Sequence, residues 1–185
     1  NSFVTSQDDL LKTAFATLAT ASIDELVVDL RYNRGGSVAT AQLLAGLIAG
    51  EHANKVFGKF VYNEKLSANN SDIEITSSNI NLGLSRVFFL TTKSSASASE
   101  MTINGLKPYL DVIQIGDQTE GKDVGSNPFY DYIDSNGTKN PNHKYLVLPI
   151  TFKYYNSEGV GDYSEGLFPN VSLRENLASL GELGD

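Results

Sequence analysis

The sequence predicts an α/β domain. Short apolar runs suited to buried strands alternate with segments whose apolar residues recur at helical spacing, and Gly- or Ser-rich turns separate the two. With 185 residues, 41% of them hydrophobic and 19% charged, the composition is that of a globular chain of one domain.

The elements follow in order. Ser6 is placed to cap a first helix, with Asp9 three positions on and Leu10, Leu11, Phe15 and Leu18 at helical spacing. Leu26–Leu30 is a nearly continuous apolar run, as in a buried parallel strand. The polar turn Arg31–Gly36 leads to Ser37, which can cap a helix reaching Ala49. Val56–Tyr62 reads as a strand. Residues 67–84 read as loop, with a short strand at Ile73–Ile75, and Val87–Thr91 is a further strand. Ser94–Glu100 is a turn feeding a helix to Leu106, with Pro108 close behind. Val112–Ile115 is a strand, and Gly116–Tyr145 is a long polar loop of the kind that carries function. Leu146–Tyr155 reads as a strand in which Pro149 marks an edge or bulge. Ser157–Asn170 is a second glycine-rich loop, and Leu173–Leu180 a final helix.

The composition excludes several function classes. The net charge is −8 and the 14 Lys and Arg residues form no cluster, which argues against nucleic acid as a partner. There is no cysteine, so disulfides, zinc–thiolate sites and cysteine nucleophiles are excluded. His52 and His143 are the only histidines, too few for a histidine-rich metal site, and no cofactor is expected. No window reaches the ~18 apolar residues of a membrane span. Both termini read as cut from a longer protein, so the lack of a targeting segment carries no weight.

Three motifs carry chemistry. Asp29-Leu30-Arg31-Tyr32-Asn33-Arg34-Gly35-Gly36 is a strand end followed by paired glycines, whose backbone can approach a ligand closely and offer N–H groups to an anion. Ser94-Ser95-Ala96-Ser97-Ala98-Ser99-Glu100 places serines where a strand turns into a helix, so one hydroxyl can face a cleft and the following N–H an oxyanion. Thr119-Glu120-Gly121-Lys122 sets a lysine after a glycine; a lysine acts as general base when desolvation disfavours its ammonium form. Glu100 reads as support for the helix N-terminus. Asp29 reads as a partner for Arg31 or backbone N–H groups, and Tyr154, Tyr155 and Tyr163 as packing residues that can also line a groove.

In this order and spacing the motifs resemble peptidase family S41, the C-terminal processing or tail-specific serine proteases. The family's D-L-R-x-N-x-G-G, S-A-S-A-S-E and G-K segments are matched by Asp29–Gly36, Ser95–Glu100 and Gly121–Lys122. The 25 positions from Ser97 to Lys122 match the family's interval between nucleophile and lysine, and Gly166–Asn170 resembles its G-I-x-P-D segment. The resemblance implies a ClpP/crotonase-like core with a mixed or mostly parallel sheet and flanking helices. It implies Ser97 as nucleophile and Lys122 as general base. The oxyanion hole would combine the N–H of Ala98 with that of Gly35 or Gly36. The substrate would be unfolded or C-terminal polypeptide, in an extracytoplasmic setting such as a bacterial periplasm or envelope. Residues 1–185 would be the catalytic domain, with no PDZ domain among them. The oligomeric state is left open.

The chain departs from the family where a Gln four positions after the lysine orients it. Ser126 stands there and is only a weak substitute. Two rival readings follow: a peptide-binding relative that does not cleave, and a crotonase-like acyl-CoA enzyme whose two N–H groups hold a thioester.

Overall fold

The structure is a computed structural model that describes residues 2–179. The first half runs α1 (Asp8–Ala21), β1 (Val27–Asp29), α2 (Val38–Ile48), β2 (Val56–Tyr62), β3 (Ser71–Glu74) and β4 (Arg86–Thr91). The second runs α3 (Ala98–Leu106), β5 (Asp111–Gly116), β6 (Val124–Ser126), β7 (Phe129–Tyr130), β8 (Leu146–Val147), β9 (Ile150–Tyr155) and β10 (Val171–Ser172). Two sheets result. One is wholly parallel, in the order β1-β4-β5-β10, with Val27 opposite Phe88 and Arg86 opposite Asp111. The other is wholly antiparallel, in the order β3-β2-β9-β6, with Phe60 opposite Tyr154 and Val124 opposite Lys153. β7 and β8 pair as a separate ribbon. No helix among the described residues is long and apolar enough to cross a membrane.

α3 is the hinge of the arrangement. It packs on α2, on β2 of the antiparallel sheet and on β5 of the parallel sheet, and every one of its residues is buried. Its polar residues can be buried because each is satisfied. The Ser99 hydroxyl donates to the Asn33 carbonyl (2.9 Å), Thr102 to Ala98 (2.8 Å), and the Asn104 amide to Val160 (2.8 Å). A β-carbon at Gly105 would meet the Phe57 ring at 2.4 Å and the Tyr154 hydroxyl at 2.6 Å, so glycine lets the helix sit down on β2 and β9. The core around it joins Leu44, Leu47 and Ile48 of α2 to Phe57, Val87, Phe89, Ile103 and Leu106.

The α/β class holds, and four elements differ from the sequence reading. Ser6 lies in a short 3-10 turn, Thr5–Gln7, and caps nothing; Gln7 precedes the helix instead. The Leu26–Leu30 run forms an edge strand, because only β4 pairs with β1, and Val27 is 58% exposed. The Leu146–Tyr155 run is interrupted at Pro149, which lacks an N–H, and its halves β8 and β9 join different sheets. The final helix is not formed over its described part. The Leu173 N–H is tied to the Gly116 carbonyl (3.1 Å), and the Asn176 side chain accepts from the Ala178 N–H (3.1 Å), closing a turn; Leu180 lies outside the described residues. The strand placed at Ile73–Ile75 is present but begins at Ser71.

Candidate active site

The site begins where the glycine turn after β1 lies on the serine turn after β4. Asp29 holds Arg31 through its backbone N–H (2.9 Å) and guanidinium (2.7 Å), which fixes the exit of the strand. Asn33 then fastens the two turns. Its side chain accepts the Gly35 N–H (3.0 Å), and its carbonyl accepts from the Ala96 N–H (3.1 Å) and the Ser99 hydroxyl (2.9 Å). Gly35, at φ +89°, comes so close that a β-carbon there would lie 2.7 Å from the Ala98 nitrogen and 2.8 Å from the Ser97 β-carbon. Gly36, at φ +133°, is clamped by Phe3, whose N–H donates to Gly35 (2.8 Å) and whose carbonyl accepts from Ser37 (3.0 Å). Both glycines are required by conformation and by space.

The serine turn sorts its hydroxyls. Ser95 is buried, donating to the Leu30 carbonyl (2.8 Å) and accepting from the Thr92 N–H (3.0 Å). Ser99 is buried on Asn33. Ser97 alone of the three is half-buried, and it sits at the start of α3 with φ 57° and ψ −117°. That conformation is strained for any residue bearing a β-carbon, and such strain persists only where the surroundings enforce it. Among the described residues, the N–H groups of Ala98 and Gly36 make no hydrogen bond, whereas that of Gly35 is taken by Asn33.

Glu100 joins this turn to the lysine segment. It is fully buried and accepts four hydrogen bonds: from the Ser97 N–H (2.8 Å), the Thr119 hydroxyl (2.5 Å), the Gly121 N–H (2.7 Å) and the Lys122 N–H (2.9 Å). Its charge is thus held by donors on three sides. Thr119 passes the tie onward by accepting from the Leu167 N–H (2.7 Å), which docks the second glycine-rich loop.

Ser97 and Lys122 line one cavity of about 30 Å³, with Ala98, Val38 and Met101 on the helix side. Asp123, Val124, Gly125, Phe152, Tyr154 and Tyr163 close the other side. Lys122 itself is exposed, so in the free chain water reaches its side chain. Tyr154 and Tyr163 are buried, and burial pushes both phenols above their ordinary pKa. An open groove of about 380 Å³ continues past Val124 and Phe152, over Val61, Tyr62, Ile150 and Thr151. Ser126 is exposed on β6 opposite Ile150, beyond a shift of register that follows Gly125, and it does not line the cavity, which Val124 and Gly125 do.

The sequence reading named Ser97, Ala98, Lys122 and the glycine pair; the structure sets Gly35 against Ser97 and Ala98, and it places those two residues in one cavity with Lys122. It quoted Asn33 and Thr119 within the glycine and lysine motifs without giving either a role, and it passed over Asp123, which adjoins the lysine. Tyr163, read as a packing residue that can also line a groove, packs in the core and lines the cavity.

An α/β fold that presents a serine at a strained strand-to-helix turn, beside two free backbone N–H groups, defines the general class. The model of peptidase family S41 matches residues 1–170, and the chain belongs to that family. Among solved structures, a candidate S41 protease from Bacteroides fragilis is 33% identical with a TM-score of 0.83 over 95% of this chain. A photosystem II D1 C-terminal processing protease shares the fold at 20% identity, a TM-score of 0.70 and 94% coverage. A lipoprotein from Streptococcus agalactiae does so at 17% identity, a TM-score of 0.63 and 93% coverage. The chain spans 46%, 40% and 59% of those three chains. No curated protein matches it.

Proposed function

We propose that this domain is the catalytic core of a serine endopeptidase working through a Ser97–Lys122 dyad on unfolded or C-terminal polypeptide. The carrying observation is that Ser97 and Lys122 line one cavity, while Glu100 ties the backbone of both residues to one carboxylate. Ser97 Oγ attacks the scissile carbonyl, and neutral Lys122 takes its proton and returns one to the leaving amine. The N–H groups of Ala98 and Gly36 receive the oxyanion. Gly36 is favoured over Gly35 because Asn33 already occupies the Gly35 donor. A polypeptide lying along the groove over Val124 and Phe152 would cover Lys122 and remove water from it, which favours the neutral amine. An extracytoplasmic setting belongs to the same proposal and rests on family membership.

The exposure of Lys122 supports one second reading, a relative that binds polypeptide without cleaving it. Incubation with an unfolded protein separates the two. The dyad reading expects cleavage by the parent and none by folded Ser97→Ala or Lys122→Ala. A folded, inert parent, or a Ser97→Ala protein that cuts as well as the parent, overturns it.

A further inference from the structure

The glycine turn has a strained residue of its own. Tyr32 stands at φ 61°, a conformation uncommon for a bulky side chain and kept only where neighbours enforce it. It directly precedes Asn33, which fastens the glycine turn to the serine turn. The Tyr32 N–H donates to the Thr92 hydroxyl (3.2 Å), and the Tyr32 hydroxyl donates to Glu175, 143 positions away. The other oxygen of that carboxylate accepts from the Arg31 guanidinium (2.7 Å). Arg31 already has a carboxylate in Asp29, so Glu175 is not needed to neutralise it. What Glu175 adds is the bond to Tyr32, which raises the pKa of the phenol and keeps its proton in place.

Glu175 reaches the turn from the far edge of the parallel sheet. β10 pairs with β5 there, the Gln114 N–H donates to the Asn170 side chain (2.8 Å), and Arg174 holds Asp117 (3.0 Å). Past that point the segment does not pack down on the strand ends. A cavity of about 290 Å³ separates Leu173, Asn176 and Ser179 from Leu90, Thr91 and Ile115. Among the described residues, the two bonds of Glu175 are the hydrogen bonds that join this segment to the turn. The side chain of Glu175 is only 20% exposed, so these charge-assisted bonds are partly shielded from water. The turn is thus gripped from two sides, by Phe3 at Gly35 and Ser37 and by Glu175 at Arg31 and Tyr32.

We infer that Glu175 is a positioning residue for the proposed reaction: by holding Tyr32 in the left-handed region, it fixes where the turn presents the Gly36 N–H to the oxyanion. The inference rests on the proposed roles of Ser97 and Gly36. Without the carboxylate, Tyr32 relaxes toward negative φ, which turns the peptide leading into Asn33. Asn33 then loses its register on Gly35, Ala96 and Ser99, and the Gly36 donor moves off the oxyanion. Glu175 touches no reacting atom; it acts through Arg31 and Tyr32.

The test is Glu175→Ala in the full chain, read in two ways. Amide hydrogen exchange by NMR reads the turn. The Gly35 and Ala96 N–H groups, which Asn33 holds, should exchange about tenfold faster than in the parent, while the Gln114 N–H, which Asn170 holds, should not change. Cleavage of an unfolded protein reads the reaction. Losing an oxyanion donor outright costs about 100-fold or more in kcat; here the donor is displaced, so kcat should fall about tenfold with KM within about twofold. Tyr32→Phe keeps the Arg31–Glu175 pair and should give the same pattern, and combining the two substitutions should add little to either. Tyr32→Phe decides the matter if Glu175→Ala also speeds exchange at Gln114. Unchanged exchange at Gly35 and Ala96, an unchanged kcat, or a loss carried by KM alone overturns the inference. The peptidase reading is judged separately. A parent that cuts no unfolded protein ends that reading, and exchange alone then decides whether Glu175 holds the turn; a parent that cuts, with exchange and kcat unmoved in both variants, keeps the peptidase and loses the role of Glu175.

Discussion

Glu100→Gln tests whether one carboxylate holds the site together. Glu100 Oε1 accepts from Thr119 and Gly121, and Oε2 from Ser97 and Lys122. Glutamine keeps one oxygen and turns the other into an amino group. Whichever oxygen is lost, the amino group faces at least one backbone N–H that cannot accept. The less damaging orientation points it at Thr119, whose hydroxyl can turn, and this leaves the Gly121 N–H without an acceptor. A buried unpaired donor costs about 1–3 kcal/mol. The bonds that survive lose their charge assistance, worth about 1 kcal/mol together. A neutral amide is cheaper to bury than a carboxylate, which moves the net toward the lower end. The expected loss is about 2–3 kcal/mol of unfolding free energy. Urea unfolding followed by circular dichroism reads it, with Glu120→Gln as control. Glu120 is an exposed neighbour on the same turn, and its variant should stay within about 0.5 kcal/mol of the parent. If Glu100→Gln also stays within that margin, the four bonds are not holding the turn, and the coupling of Ser97 to Lys122 through Glu100 is refuted.

Two further outcomes follow from the same geometry. Ser97→Gly should raise stability by about 1 kcal/mol relative to Ser97→Ala, because only glycine relaxes at φ 57° and ψ −117°; equal melting temperatures of the two variants would show that the turn is unstrained. Arg31 holds the Asp29 carboxyl below its ordinary pKa of 3.8, chiefly by side-chain hydrogen bonding. Its stabilising effect is therefore full above that value and is lost as pH falls through the lowered folded pKa. Asp29→Asn should cost about 0.5 kcal/mol at neutral pH after solvent screening, and the difference from the parent should vanish in acid; a difference independent of pH contradicts the ion-pair account.

The legible part of this protein was local. The period of α1, the cap of α2, the lengths of α2 and α3, and the strands β2, β4 and β5 are all set by residues within a few positions of one another, and they lie where the sequence places them. The strands that escaped, β6, β7 and β10, are two or three residues long and exist because a distant strand pairs with them: β9 for β6, β8 for β7, β5 for β10. The final helix failed for the converse reason, since a tie from Leu173 to Gly116 outweighs local propensity.

The candidate site divides along the same line. Ser97, Lys122 and the glycines announce themselves because backbone geometry and chemistry restrict those positions to few residue types. The work of Asn33 and Thr119 is not legible in the same way, since it is defined by partners 19 to 66 positions away, Ala96 and Ser99 for the one and Glu100 and Leu167 for the other. Glu100 shows how the two kinds of information meet. Its place at the third position of α3 follows from the capping pattern, and that local role explains only the bond to the Ser97 N–H. The other three bonds reach across to Thr119, Gly121 and Lys122, so a residue that looks like a helix cap also sets where the lysine enters the cavity. This makes the 25-residue interval between Ser97 and Lys122 a physical constraint. α3, β5 and the segment that returns from β5 to Lys122 must all fit within it, or Glu100 cannot hold both backbones at once.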